Sequence, residues 1–171
     1  MTKIFEYFPH PVFQYKLKDY QKQNEELSNY IYELQKKDLK GQQRSNVNGW
    51  HSPFFDLTNK DNIGFKFLLK IQPFMIDVFK SYGWKYNPQK VLCSGMWAII
   101  NKKGNFNTEH IHPNSNLSAA YYVKAPKNCG DFKIGNPHTI SRDKFPEREK
   151  PTELNRLMAK IPVNEGDLLI F

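Results

Sequence analysis

The spacing of apolar positions divides the chain into a helical first part and a strand-rich second part. Residues 19–37 and 65–82 place apolar side chains three, four and seven positions apart. This spacing corresponds to one face of a helix, so we predict two amphipathic helices. Pro73 lies inside the second segment and predicts either a kink or a helix start later than residue 65. Gly83 suits the C-terminal end of that helix.

After residue 88 the pattern changes to short apolar runs separated by glycine, proline and asparagine, which predicts strands. The predicted strands cover residues 91–100, 108–112, 117–124, 131–134, 160–163 and 168–171, the last one following a turn at Glu165-Gly166-Asp167. A further short strand is predicted at residues 4–8, and a short helix at residues 152–158 within a long polar stretch. Helices followed by antiparallel strands indicate an α+β fold built around a sandwich or jelly roll.

The length and composition fit one globular domain. A chain of 171 residues can bury a sizeable core, and an aromatic content of 15% favours a packed protein over a disordered one. We therefore predict a single domain over residues 1–171, mainly helical in residues 1–88 and forming a jelly-roll core in residues 89–171.

The charge, the cysteines and the hydropathy narrow the class of protein. The net charge is +8, but basic and acidic residues alternate, so a nucleic-acid-binding surface is disfavoured. There is no signal peptide and no run of about 20 apolar residues that could span a membrane. Cys93 and Cys129 have no CxxC spacing, and Cys93 lies in an apolar run, where a buried reduced thiol is expected. A cytoplasmic protein follows.

His110-Ile111-His112 is the candidate site for metal chemistry. In an extended segment, side chains two residues apart leave the same face, about 6.6 Å apart along the strand. Two such imidazoles can lean toward one metal ion, although two histidines in a polar loop are as often packing or capping residues. His51 has no partner at ligand spacing, so we expect a structural role for it. Tyr121 and Tyr122 should point to opposite faces of the following strand. Motifs of serine hydrolases, zincins and nucleotide-binding loops are absent from the sequence.

Several motifs together resemble a known family. They are Ser45-Asn46-x-x-Gly49-Trp50-His51-Ser52, Trp97-Ala98, His110-x-His112-Pro113-x-Ser115-x-x-Ser118-x-x-Tyr121-Tyr122-Val123 and Pro162-x-x-x-Gly166-Asp167-Leu168-Leu169-Ile170-Phe171. In combination they are similar to a family of 2-oxoglutarate/Fe(II)-dependent oxygenases found in marine bacteria and phages. The similarity extends over nearly the whole chain.

The resemblance implies a fold, two cofactors and three site residues. The fold would be a double-stranded β-helix, a cupin-like jelly roll, behind two N-terminal helices. His110 matches the first ligand of a His-x-Asp/Glu iron motif, His112 stands where the carboxylate would be, and Tyr122 matches a tyrosine that reaches the distal carboxylate of 2-oxoglutarate. The family's dioxygenase reaction decarboxylates 2-oxoglutarate at Fe(II), gives succinate and CO₂, and hydroxylates a C–H bond. No motif identifies the substrate.

The resemblance also implies residues beyond Phe171. In the family, a distal histidine ligand and an arginine that binds 2-oxoglutarate follow this position. We therefore expect a C-terminally truncated jelly roll that lacks its late strands, binds Fe(II) weakly and turns over 2-oxoglutarate negligibly. Its open sheet edge favours self-association. The alternative is a non-catalytic jelly-roll binding module that has lost its metal and holds a small ligand or a protein partner.

Overall fold

The structure is a computed structural model that describes residues 2–5, 8–138 and 146–171. The elements in chain order are β1 (Phe13–Lys16), α1 (Tyr20–Lys37), β2 (Asn46–Val47), β3 (Trp50–His51), α2 (Ile63–Ser81), β4 (Ile99–Ile100), β5 (Phe106–Asn107), β6 (Ala119–Tyr121), β7 (Phe132–Gly135), β8 (Met158–Ile161) and β9 (Asp167–Ile170). Two helices precede a series of short antiparallel strands. The predicted α+β class and both predicted helices are confirmed.

Helix α2 has well-defined ends. The Asn62 side chain accepts a hydrogen bond from the Gly64 N–H at 2.8 Å and caps the first turn. At the other end Gly83 adopts a φ of +69°. Its N–H donates to the Lys80 carbonyl at 2.9 Å, and the next N–H, of Trp84, donates to the Phe79 carbonyl at 2.8 Å. These two bonds form a Schellman motif, so the predicted role of Gly83 is confirmed.

Pro73 neither starts nor ends helix α2. The helix begins at Ile63 and runs through Pro73 to Ser81, so the predicted later start is wrong. Pro73 removes the donor for the carbonyl of Leu69, four residues earlier. Both residues are exposed. Water can therefore solvate the freed carbonyl, which lowers the cost of proline within the helix.

A three-stranded antiparallel sheet with the order β1-β9-β6 packs against both helices. Leu168 and Ile170 of the central strand β9 are completely buried on the helix-covered face. The remaining buried members of this core come from the segment after β1 and from both helices: Leu17, Leu27, Phe67, Ile71 and Val78. Residues from both ends of the chain thus share one core.

The other strands form three two-stranded ladders: β2 with β5, β3 with β4, and β7 with β8. Hydrogen bonds from the Ser52 N–H to the Ala98 carbonyl (2.9 Å) and from the Phe55 N–H to the Met96 carbonyl (2.8 Å) extend the contact between the β2–β3 region and the β4–β5 region. The N-terminal part therefore supplies strand partners for the segment that leads to the histidine pair. The described residues do not form a closed double-stranded β-helix.

Several predicted strand boundaries are wrong. Of residues 91–100 only the last two form a strand, and residues 108–112 form none, because β5 ends at Asn107. Strands β7, β8 and β9 lie within two residues of predicted ones, and β6 lies inside the predicted strand 117–124. The predicted strand at 4–8 includes Glu6 and Tyr7, which lie outside the described residues; its other residues are not in a strand, and the first strand is β1.

The predicted short helix at residues 152–158 is also wrong. The Asn155 side chain accepts a hydrogen bond from the Thr152 N–H at 2.7 Å and donates to the Lys150 carbonyl at 2.9 Å. These side-chain bonds satisfy backbone groups that a helix would pair, so the segment forms a turn before β8.

The structure gives the exposure of Cys93 and the character of the two helices. Cys93 is exposed and unpaired, not buried as predicted, because its apolar run lies in an irregular segment between α2 and β4. In the described part of the chain, neither helix combines the length and the apolar character that a membrane span requires.

Candidate metal centre

His110 and His112 bring their ring nitrogens together in the loop between β5 and β6. Their Nε2 atoms are 3.1 Å apart, and their ring centroids are 5.0 Å apart. Two nitrogens at this distance, each about 2.1 Å from one metal ion, would subtend about 95° at the metal, close to two neighbouring positions of an octahedron. The convergence is a property of the loop, since the residues are not in a strand.

The backbone of the preceding residues fixes the His110 ring. The Nδ1 atom of His110 is 2.8 Å from the Thr108 carbonyl oxygen, which only accepts hydrogen bonds, so Nδ1 carries the proton. The neutral ring then has its lone pair on Nε2, the atom that faces His112. Thr108 is held in turn, because its N–H donates to the Ser45 carbonyl at 2.8 Å.

The His112 ring is held by a hydroxyl group and an aromatic ring. Its Nδ1 atom is 2.7 Å from the Ser118 Oγ atom, and its ring meets Trp97 edge-on at 5.7 Å between centroids. Partial burial, and then the nearby charge of His110, lower the pKa of His112 below its usual value of 6.5. The ring is therefore neutral at neutral pH, which is the state that a metal ligand requires.

His51 is buried, and its contacts fit the structural role expected from the sequence. Its side chain is 3% exposed, and its ring stacks on Trp97 at 5.6 Å between centroids. Its Nδ1 atom donates to the Ser52 carbonyl at 2.6 Å. Trp97 contacts both His51 and His112, so the indole ring connects this buried histidine to the wall of the candidate site.

The motif around His51 builds a hydrogen-bonded turn. The buried Asn46 side chain donates to the Gly49 carbonyl at 2.6 Å and accepts from the Arg44 N–H at 2.8 Å. A Cβ atom on Gly49 would lie 2.0 Å from the Asn101 Oδ1 atom, so a side chain there would force a rearrangement. Trp50 donates from Nε1 to the Asp38 carbonyl at 2.7 Å. These contacts place the Ser45 carbonyl that holds Thr108.

Tyr121 and Tyr122 point to opposite faces of the sheet, as the alternation predicts. Tyr121 contacts the Phe67 ring at 4.7 Å between centroids on the helix-covered face, and its hydroxyl donates to the Asn24 side chain at 2.6 Å. Tyr122 lies on the other face, the face of Ser118 four residues earlier. Burial, with smaller contributions from Cys129 and Asp167, raises the pKa of Tyr122 to about 12, so its hydroxyl stays protonated at neutral pH.

Three residues that position the pair were not singled out from the sequence. They are Thr108, Trp97 and Ser118. Two of them lie in the quoted motifs, but their contacts come from the loop conformation. Among the residues that the structure describes, no group of three or more histidine, cysteine, aspartate or glutamate side chains is arranged to hold a metal ion. The described part of the chain thus brings two candidate nitrogen ligands together.

Comparison with known proteins gives one family. Residues 95–171 match the sequence model of a family described as "Putative 2OG-Fe(II) oxygenase". The match covers somewhat less than half of the chain and includes His110, His112, Ser118 and Tyr122. A search of curated proteins found no match. The description of the family names Fe(II) and 2-oxoglutarate. Two convergent imidazoles fit part of a non-haem iron site, whose usual ligands are two histidines and one carboxylate.

Proposed function

We propose that the chain is a 2-oxoglutarate/Fe(II)-dependent oxygenase of the hydroxylase type, or a part of one, with a jelly-roll core. The observation that carries this proposal is the 3.1 Å distance between the Nε2 atoms of His110 and His112, inside the segment that matches the oxygenase family. Two ring nitrogens converge there with their other nitrogens already hydrogen-bonded. This arrangement is typical of histidine metal ligands.

In this proposal His110 and His112 hold the metal ion through their Nε2 atoms. Thr108 and Ser118 fix the ring orientations, and Trp97 covers one side of His112. Bound Fe(II) would activate dioxygen, the oxidant of a reaction in which 2-oxoglutarate gives succinate and CO₂ and a substrate C–H bond is hydroxylated. The residues described here bind and orient, and the partly buried His112 ring limits access of water to one side of the site.

Tyr122 is proposed to contact the distal carboxylate of 2-oxoglutarate. It shares a sheet face with Ser118, and its protonated hydroxyl can donate a hydrogen bond to a carboxylate. The nearby Asp167 carboxylate has its own donors, from the Gln14 side chain at 3.1 Å and the Asn164 N–H at 2.7 Å. Asp167 therefore does not require a hydrogen bond from the Tyr122 hydroxyl, which leaves that hydroxyl available to 2-oxoglutarate.

An anaerobic Fe(II) titration tests the metal site. We expect the wild type to bind one Fe(II) weakly, and His110→Ala and His112→Ala each to reduce the affinity further, by more than the roughly 10–100-fold typical of losing an outer-shell partner. His138→Ala is the matched control, because His138 is an exposed histidine that contacts His10 instead of the pair. Equal binding by the wild type and His110→Ala would disprove the proposed centre.

Succinate formation from 2-oxoglutarate tests the enzymatic part of the proposal. Formation that the wild type supports and His110→Ala abolishes would show an oxygenase reaction. The second candidate function is a jelly-roll binding module without catalysis, and it is favoured by one observation: the described residues supply two metal-ligand side chains and no third. Absence of both Fe(II) binding and succinate formation in the folded wild type would favour that module, which has lost its metal site.

Location and partners are further proposals. We propose a cytoplasmic location, supported by two exposed cysteines that are not joined in a disulfide.

Self-association through a sheet edge is proposed because β1 and β6 lie at the edges of the sheet order β1-β9-β6. Light scattering coupled to size exclusion tests this point, and a monomer over a wide concentration range would contradict it. No nucleic-acid partner is proposed.

A further inference from the structure

Ser118 presents its hydroxyl to His112 from a rigid part of the sheet. Its N–H donates to the Phe171 carbonyl at 2.8 Å, and its carbonyl accepts from the Phe171 N–H at 3.0 Å. These two bonds extend the pairing between β6 and β9 by one residue pair. Because the N–H and the carbonyl of Ser118 are both bonded to Phe171, the sheet pairing holds its Oγ atom 2.7 Å from His112 Nδ1.

The hydrogen-bond partners of the two rings determine where their protons lie without a metal ion. His110 must carry its proton on Nδ1, since the Thr108 carbonyl only accepts. Its Nε2 atom is then an acceptor, and the His112 Nε2 atom at 3.1 Å must be the donor. A neutral His112 with its proton on Nε2 has a bare Nδ1 atom. Ser118 is therefore the donor to His112 in this state.

A metal ion reverses that arrangement. Coordination by both Nε2 atoms uses both lone pairs, so a neutral His112 must carry its proton on Nδ1. The Nδ1–H group then donates to Ser118 Oγ. A serine hydroxyl can serve as donor or acceptor by rotation about the Cβ–Oγ bond, whereas a carbonyl or an ammonium group has only one of these roles.

We propose that Ser118 is a positioning residue whose hydroxyl reverses its hydrogen bond with His112 when a divalent metal ion binds. The His112 ring loses the Nε2 proton to water and takes up one at Nδ1 from water, so it stays neutral and no net proton is released. Thr108 keeps the His110 ring in one tautomer, and Ser118 allows the His112 ring to use two. This inference rests on the proposed metal site.

Two substitutions of the same shape separate the hydroxyl from the packing. Ser118→Thr keeps a hydroxyl, and Ser118→Val replaces it with a methyl group; both residues are β-branched and suited to a strand. The probe is Zn²⁺ alone, which is diamagnetic and redox-inactive. The readouts are calorimetric zinc affinity and ¹⁵N NMR of the histidine ring nitrogens, at about pH 8, well above the ordinary histidine pKa of about 6.5.

In the wild type and Ser118→Thr we expect zinc to move the His112 proton from Nε2 to Nδ1. In Ser118→Val we expect zinc affinity to fall by about 10–100-fold, as for loss of an outer-shell partner. Circular dichroism and thermal melting check that both variants are folded; if Ser118→Val is not, Ser118→Ala, which also lacks the hydroxyl, takes its place.

Three outcomes would overturn the inference. Equal zinc affinity in the wild type and a folded Ser118→Val would overturn the role of the hydroxyl and leave the metal site intact. A metal-free wild type whose His112 already carries its proton on Nδ1 would overturn the reversal. Zinc binding that His110→Ala leaves unchanged would overturn the metal site itself, and the inference with it.

Discussion

The two faces of the sheet β1-β9-β6 differ in what their side chains do. The helix-covered face carries Leu168 and Ile170, which are completely buried against α1 and α2. The opposite face carries Ser118, whose hydroxyl contacts His112, and Tyr122, which the alternation along the strand places on the same side as Ser118. Adjacent residues of one strand thus serve stability on one side and candidate chemistry on the other. The period of two along a strand makes this separation possible.

The comparison predicts that the largest loss of stability comes from the helix-covered face. Leu168→Ala removes a fully buried side chain from the core and leaves a cavity. We expect it to lower the free energy of unfolding by about 2–5 kcal/mol. Urea denaturation of the wild type and the variant measures this difference. A loss below about 1 kcal/mol would mean that the helices do not seal this face as described.

A smaller loss is expected at the turn that supports the histidine loop. Asn46→Ala leaves the Gly49 carbonyl and the Arg44 N–H without their side-chain partner. We expect the free energy of unfolding to fall by about 1–3 kcal/mol, because these groups lie in a partly buried turn.

Asn46→Ala should affect metal affinity less than His110→Ala does, since it acts on the histidines only through Ser45 and Thr108. Urea denaturation and Fe(II) titration of the same samples provide both numbers. Asn59→Ala is a control. The Asn59 side chain also accepts a hydrogen bond within a turn, from the Asp61 N–H at 2.9 Å, but this turn lies in an exposed loop. An equal stability loss in both variants would contradict the proposed importance of the buried turn.

The two neighbouring tyrosines provide the sharpest comparison of the two faces. Tyr121→Phe removes the hydrogen bond to Asn24 and should cost about 1 kcal/mol of stability, without affecting co-substrate binding. Tyr122→Phe should leave stability nearly unchanged and weaken binding of 2-oxoglutarate to the metal-loaded protein. Thermal denaturation and calorimetry measure the two effects. If Tyr121→Phe weakened 2-oxoglutarate binding and Tyr122→Phe lowered stability, the two faces of the sheet would not have the separate roles described above.

The smallest predicted effect is an alkaline loss of stability. Burial, with smaller contributions from Tyr20 and Asp167, raises the pKa of Tyr121 to about 12 in the folded protein, from a usual value of 10.0. The unfolded chain therefore loses this proton first, and stability falls as pH rises from about 10 toward 12. Unfolding measured across this range should show a shallower decline in Tyr121→Phe than in the wild type. Identical slopes would contradict the shift.

Local sequence signals predicted the helices better than they predicted the strands. Helical periodicity found α1 and α2, and Gly83 marked the end of α2 through its positive φ. Residues 91–98 read as a strand from their apolar content, yet the whole segment is irregular and its first half, residues 91–94, is exposed. Apolar content indicates that side chains favour burial, but a strand also needs a neighbouring strand to pair with. Here backbone pairing with the segment around Phe55 begins only at Met96.

The sequence by itself determined which residues are available for chemistry: two histidines two positions apart, before a strand with paired tyrosines. Alternation along the strand also determined that Tyr121 and Tyr122 face opposite ways. Only the tertiary structure decided that the two imidazoles meet, at 3.1 Å between Nε2 atoms, and which groups orient them. The orienting groups, Thr108 and Ser118, depend on pairing with Ser45 and Phe171, which are 63 and 53 positions away. Contacts between such distant parts of the chain arise from packing of the whole fold, which a local pattern does not encode.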